Sequence, residues 1–579
     1  MTTTAILNGM LYDGTGGAAR RAQVIVRDGR IAEIGAELDV PADAEVIDAT
    51  GCWVTPGFLD IHTHYDAELE INPSLDESLR HGVTTVLVGS CGLSMVVGDP
   101  EDLADMFCRV EGIPHDLVLP ILRDVVDWSS PAGYAEHLSG LPLGPNVASM
   151  LGHSTARAHT MGLRRAVSDG VRPTEHELVA MDRLTREALD AGLVGLSLNL
   201  LPWDKMGGER FRSRPTPSVF AKFAEYRRLS EAVRARDAVL QAVPNLQTRW
   251  PILPLMEMSR PRGGRALRTS LLTMMDAPPA MGLYRLLGKA GQVLNDRLGA
   301  NVRFQALPTT FDLFTDGLEN PVIEELGAGT EALHLDDIDA RRALIRAPGF
   351  RDRFRRQWRN PVAARAYHRD LSEARVVGCP DGSVVGLTFA EVAQRRGTGD
   401  PLDAFLDLQA AWGNDLRWYS VVANGNPEAV EWIMSHPVAL IGFSDAGAHL
   451  RNMGFYNFPL RMLKRVRDAQ LEGRGFMTVE AAVAKLTAEI ADFHRLDVGR
   501  ITVGARADLV VIDPERLDET VEEIHEEPMP AFPSVRRLVR RNDDTVRAVM
   551  VNGAVAWAGG AAASDLGTAH RFGTYLASG

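Results

Sequence analysis

The chain has 579 residues, of which 45% are hydrophobic and 24% charged, and carries a net charge of −14. That length exceeds one minimal domain but suits a large barrel with an appended domain, and the composition is that of a globular enzyme. The acidic balance excludes a general nucleic-acid binder, whose phosphate contacts need a basic surface.

Residues 1–55 read as short strands at 4–7, 22–26, 31–34 and 44–47, with Asp13-Gly14 and Asp28-Gly29 as turns between them. No basic region with a long apolar segment opens the chain, and no apolar run reaches membrane-spanning length. The middle then alternates strands with helices. Strands are predicted at 58–62, 84–88, 146–151, 193–198, 238–243, 302–307, 419–423 and 439–443, with helices such as 174–191, 219–234 and 427–435 between them. This is the pattern of an α/β chain folded as a parallel (β/α)8 barrel. A doubly wound open sheet competes, but no Gly-x-Gly-x-x-Gly turn follows any strand. The stretches 245–300 and 310–415 read as long insertions at the barrel mouth. Further strands at 507–513 and 546–553 resemble those of the N-terminus, and short terminal strands need partners. The expected domains are therefore a barrel over 56–495 and one small β-sandwich built from 1–55 and 496–579. Cys52, Cys91, Cys108 and Cys379 are too sparse for a disulfide framework, so a soluble cytoplasmic protein with no membrane partner is expected.

Catalytic groups of such a barrel sit at the C-terminal ends of its strands. The first predicted strand ends in His62-Thr63-His64, and alternation along an extended chain turns both imidazoles to one side. Cys91 follows the second strand, His153 the third, Asn199 the fourth, and Asp445 with His449 the eighth. Imidazoles, a thiolate and a carboxylate at one mouth suit a divalent ion of zinc type. A carboxylate beside such an ion can take a proton from water and pass it to a leaving amine, and Asp445 is placed for that work. Singly, Cys91 reads equally well as an inert buried thiol and His153 as a loop-bracing side chain, while Asp445, directly after the strand at 439–443, reads better as a site residue than as a helix cap. Together they read as a site, with His153 and His449 as substrate-binding candidates.

The run Asp48-Ala49-Thr50-Gly51 through Thr55-Pro56-Gly57-Phe58-Leu59-Asp60 to His62-Thr63-His64-Tyr65-Asp66-Ala67 resembles the amidohydrolase superfamily, in its D-aminoacylase branch. So do Cys91, the Gly152-His153-Ser154 turn, Ser444-Asp445 and the segment from Gly499 to Leu509. The resemblance implies a hydrolytic metal site in a barrel with a composite β-sandwich, cleaving the N-acyl bond of a small-molecule amide to release a D-amino acid. It assigns metal and base roles to His62, His64, Cys91 and Asp445.

It also implies one histidine on strand five and one on strand six, yet no histidine lies between His176 and His334. The predicted strand ends carry Gln241 and Gln305, whose neutral amides are weak ligands for a borderline ion, and Asn199 stands where a bridging lysine would be needed. The reading is a single zinc-type ion held by His62, His64 and Asp445, with Cys91 as a candidate fourth ligand. Alternatives are opening of a cyclic amide, or a silent barrel that has lost two ligands. Arg157 and Arg451 are positional candidates for a substrate carboxylate. Met256, Met258, Met274, Met275 and Met281 read as core, with an apolar acyl pocket as the second option.

Overall fold

A computed structural model describes residues 3–579. Eight strands, Phe58–Asp60, Val83–Val88, Asn146–Gly152, Gly195–Asn199, Val239–Val243, Arg268–Leu272, Asn301–Gln305 and Ala439–Leu440, form one sheet in which spatial order follows chain order. The recorded pairings are parallel, and most of these strands are buried along their full length. Helices on the outside and packed side chains within account for that burial. The sheet curls back on itself. Ile61 N–H donates to Gly442 O at 2.8 Å, and His62–Thr63 pairs in parallel with Phe443–Ala446. The architecture is thus a mixed α/β fold of TIM-like barrel type.

One predicted barrel strand is absent from the barrel and one unpredicted strand takes a place in it. Arg268–Leu272 is a barrel strand inside the stretch read as an insertion, and it was hidden because Arg268, Thr269 and Ser270 leave only two apolar residues. Residues 419–423 are not in the barrel. Arg417–Ala423 pairs antiparallel with Phe311–Asp316 and Arg375–Gly378 in a separate three-stranded sheet. Its sequence shows why: Trp418, Ser420 and Val422 are buried while Val421 is exposed, the alternation of a strand with one covered face.

Local chemistry sets several element ends. The helix Glu175–Asp190 starts at Thr174, whose hydroxyl accepts from Glu177 N–H while the Glu177 carboxylate accepts from Thr174 N–H. Gly195 lies so close to the next strand that an added Cβ would sit 1.8 Å from Val239 O.

Both chain ends share a nine-stranded sheet. Its seam is Trp53–Pro56 against Leu509–Ile512, with Val54 opposite Val511, and Ile6, Val24, Val54, Leu509 and Met550 belong to the apolar cluster beneath it. The strand Trp53–Pro56 therefore leads straight from this sheet to His62. Among the described residues, no helix is long and apolar enough to cross a membrane.

Candidate metal centre

The first and last barrel strands are zipped together beyond their ends, and this brings the site residues into one place. His64 N–H donates to Ala446 O at 2.7 Å, and Gly447 packs so closely that an added Cβ would lie 2.3 Å from His64 O. Asp445 Oδ1 consequently sits 3.3 Å from His64 Nε2 and 3.6 Å from His62 Nε2. From the second strand, Cys91 reaches across to place Sγ 3.1 Å from His62 Nε2. His62, His64 and Cys91 offer ligand atoms all within 4.8 Å of one another, and all three residues are buried.

Three residues of this mouth hold left-handed backbone, with φ of 53° at Cys91, 60° at Asp445 and 47° at His449. Side chains other than glycine pay for that conformation, and such residues gather where geometry serves function. Cys91 is held there by its N–H, which donates to Gln241 Oε1 at 3.2 Å. His449 is held by its N–H on Val110 O at 2.9 Å.

The two glutamines at the predicted ends of strands five and six, Gln241 and Gln305, support the site from behind. Gln305 Oε1 lies 2.7 Å from His62 Nδ1, and Gln305 Nε2 donates to Ser270 Oγ at 3.0 Å. An amide oxygen only accepts, so His62 carries its proton on Nδ1 and turns the Nε2 lone pair toward Cys91 and Asp445. Strand six is Arg268–Leu272, so Gln305 belongs to strand seven; neither strand five nor the true strand six supplies an imidazole.

Electrostatics prepare the donors. Burial pushes His62 down to about 4, so its ring is neutral near pH 7. Asp445 is also penalised by burial, but His64, His62 and His449 outweigh this and hold its carboxyl at about 2. Burial raises the Cys91 thiol well above its usual value. A neutral imidazole and an anionic carboxylate are the forms that bind a metal, and the buried thiol becomes a ligand only when a cation compensates its charge. His64 Nδ1 is buried with no hydrogen-bond partner. The nitrogen, sulfur and oxygen donor set fits a divalent ion of zinc type.

His64, Cys91, Asp445 and His449 form the floor of a cavity of about 640 Å³, within the range of ligand sites. Asp204 joins them there. Burial lifts its carboxyl to about 6, although Asn199 Nδ2 donates to it. The signal for Asp204 is the Asp-Lys pair that interrupts an apolar loop after strand four, Leu200-Leu201-Pro202-Trp203-Asp204-Lys205.

His153 lies elsewhere. Its Nδ1 is 2.9 Å from Ser218 Oγ and its Nε2 is 3.0 Å from Glu225 Oε1, with Arg157 Nε donating to the same oxygen at 3.0 Å. Both ring nitrogens are occupied, the side chain is wholly buried, and it does not line the cavity. Arg157 is thereby also committed, and Arg451 pairs with Asp316 and Glu526. Of the five methionines, Met256, Met258 and Met274 are core, Met281 is exposed, and Met275 lines the cavity.

Comparison with known proteins shows the family and the fold. The amidohydrolase family model matches residues 45–556. An uncharacterized protein of Mycobacterium tuberculosis is 47% identical over 96% of this chain and 92% of its own. The N-acyl-D-glutamate deacylase of Alcaligenes xylosoxydans xylosoxydans is 28% identical over 88% of this chain and 87% of its own. A crystal structure of the N-acyl-D-glutamate deacylase of Bordetella bronchiseptica shares the fold, with a TM-score of 0.64 at 23% identity over 100% of each chain. The chain belongs to the amidohydrolase family, in its D-aminoacylase-like branch, and is a hydrolase of carbon–nitrogen bonds other than peptide bonds.

Proposed function

We propose that this protein hydrolyses N-acyl amino acids, in the manner of the N-acyl-D-amino-acid deacylases, with one divalent ion held by His62, His64, Cys91 and Asp445. The observation that carries the reading is the convergence of the His62 and His64 imidazoles, the Cys91 thiol and the Asp445 carboxylate, the last three of which line one cavity. A relative named as an N-acyl-D-glutamate deacylase, and a fold neighbour whose structure contains zinc, support the substrate class and the metal. In the same reading residues 56–495 form the catalytic unit, and 1–55 with 496–579 brace it.

When bound, an ion of zinc type supplies Lewis acidity, making water a nucleophile near neutral pH and polarising the amide carbonyl. The protein supplies the rest. Gln305 fixes the His62 ring through Nδ1. Asp445, anionic and facing the cavity, accepts the proton of the attacking water on its carboxylate and returns it to the departing nitrogen. The C–N bond breaks, and the products are a carboxylate and a free amine. His449, on the same cavity wall, faces the substrate.

The test is release of primary amine from N-acyl-D-amino acids, their L-isomers and cyclic amides, with and without added zinc. Zinc-dependent release from the D-series is expected. Turnover of cyclic amides alone would transfer the same site to ring opening, and no turnover of any substrate at saturating zinc would overturn the proposal.

A further inference from the structure

We propose that the substrate is an amphiphile, an N-acyl amino acid with a long apolar acyl chain, lying across two compartments that meet at the metal centre. This rests on the amide-hydrolase reading above. The cavity of about 640 Å³ is one compartment, and a second of about 390 Å³ adjoins it. Val110, Trp203, Asp204, Pro321 and His449 wall both, so the two adjoin at these residues, and Asp204 and His449 among them lie near Asp445.

Their linings are opposite in character. The larger runs from Leu272 and Phe443 at the floor to Trp250, Leu253 and Leu286 at its outer end, which are 65%, 63% and 64% exposed. Exposed apolar side chains gathered at a cavity mouth mark a site for an apolar ligand. Arg249 is the cation in this lining, and it donates to Arg365 O at 2.9 Å. An acidic substrate side chain entering here would lose water for an almost wholly apolar wall, which charged groups resist.

The smaller compartment is charged, with Arg109, Lys205 and Arg451 set among the carboxylates of Asp204, Asp316, Glu319 and Glu324. Arg109 is paired with Glu324, and Arg451 with Asp316 and Glu526. Lys205 makes no hydrogen bond or ion pair with any of the described residues, although it is partly buried and burial draws its pKa down. An ammonium half-withdrawn from water, whose acidic neighbours Glu324 and Asp204 are bonded to Arg109 and Asn199 instead, has its donors free for a carboxylate. It follows Asp204 directly, so it stands next to the junction. With the scissile carbonyl at the junction, the amino acid carboxylate meets Lys205 and the acyl chain fills the apolar compartment.

The experiment measures kcat/KM with zinc for N-acetyl-, N-hexanoyl-, N-decanoyl- and N-hexadecanoyl-D-alanine. Burial of each methylene should raise kcat/KM about fourfold until the compartment is full. Ala290 lines that compartment, and Ala290→Trp should cut the decanoyl-to-acetyl ratio by about tenfold or more. Lys205→Met should raise KM about tenfold for the free acid and much less for its methyl ester. Decanoate alone should shift the tryptophan emission of the wild-type protein, because Trp203 and Trp250 line the cavity. Acetyl turnover equal to or above decanoyl turnover would overturn the chain-length assignment and leave the hydrolase reading standing. Absence of all turnover, even with decanoate bound, would overturn both.

Discussion

At the end of the first barrel strand, His62 and His64 direct Nε2 toward Asp445 at the floor of a cavity; at the end of the third, His153 spends both nitrogens on Ser218 and Glu225. The histidines His62, His64 and His153 are all buried, and each cluster contains a carboxylate. They differ in what is left over. The first has donors turned to a cavity and left-handed backbone at Cys91, Asp445 and His449. The second is closed, with Arg157 completing the Glu225 partners. Burial and perturbed acidity mark buried polar chemistry of either kind, and spare valence facing a cavity separates function from scaffolding.

Substitution should break this contrast most sharply at Asp445. Asparagine tolerates its left-handed backbone, so Asp445→Asn should fold normally yet lose about a hundred- to ten-thousand-fold in kcat, measured by amine release. Gln305→Leu removes the acceptor behind His62 and should weaken metal affinity about 10–100-fold, read by competition with a chelator. At the closed cluster the effect should fall on stability instead. His153→Ala should cost about 1–3 kcal/mol in denaturant unfolding, with kcat per folded molecule unchanged.

Acid should sharpen the same contrast more gently. Burial raises the Glu225 carboxyl, but His153 and Arg157 outweigh it and hold it below the ordinary glutamate value of 4.5. A carboxylate depressed in the folded state stabilises fully above that value and loses its contribution as pH falls through the folded pKa. The melting-temperature gap between wild type and Glu225→Gln should therefore be present near neutral pH and shrink as pH falls below the ordinary glutamate value of 4.5.

Much of the open cluster was legible along the chain because its geometry is local. The i, i+2 spacing of His62 and His64 and the placement of Asp445 directly after a strand need no distant partner to be recognised. The closure of His153 depends on Glu225, 72 residues away, and no pattern around His153 announces it. Gln305 is similar: along the chain it is a poor replacement for a ligand, and only folding shows it behind His62. The barrel itself was readable from repeated buried runs. Arg268–Leu272 escaped because its first three residues are polar, and Arg417–Ala423 intruded because β-branched and aromatic residues mark strands of any sheet.

The central claim, an ion gripped between the first and second strands and faced by Asp445, is tested most directly by anomalous diffraction from crystals grown with zinc. One peak per chain ringed by His62, His64 and Cys91, and lost in Cys91→Ala with His62→Ala, is the predicted result. An empty centre at saturating zinc, or a second peak of equal height beside the first, would contradict it.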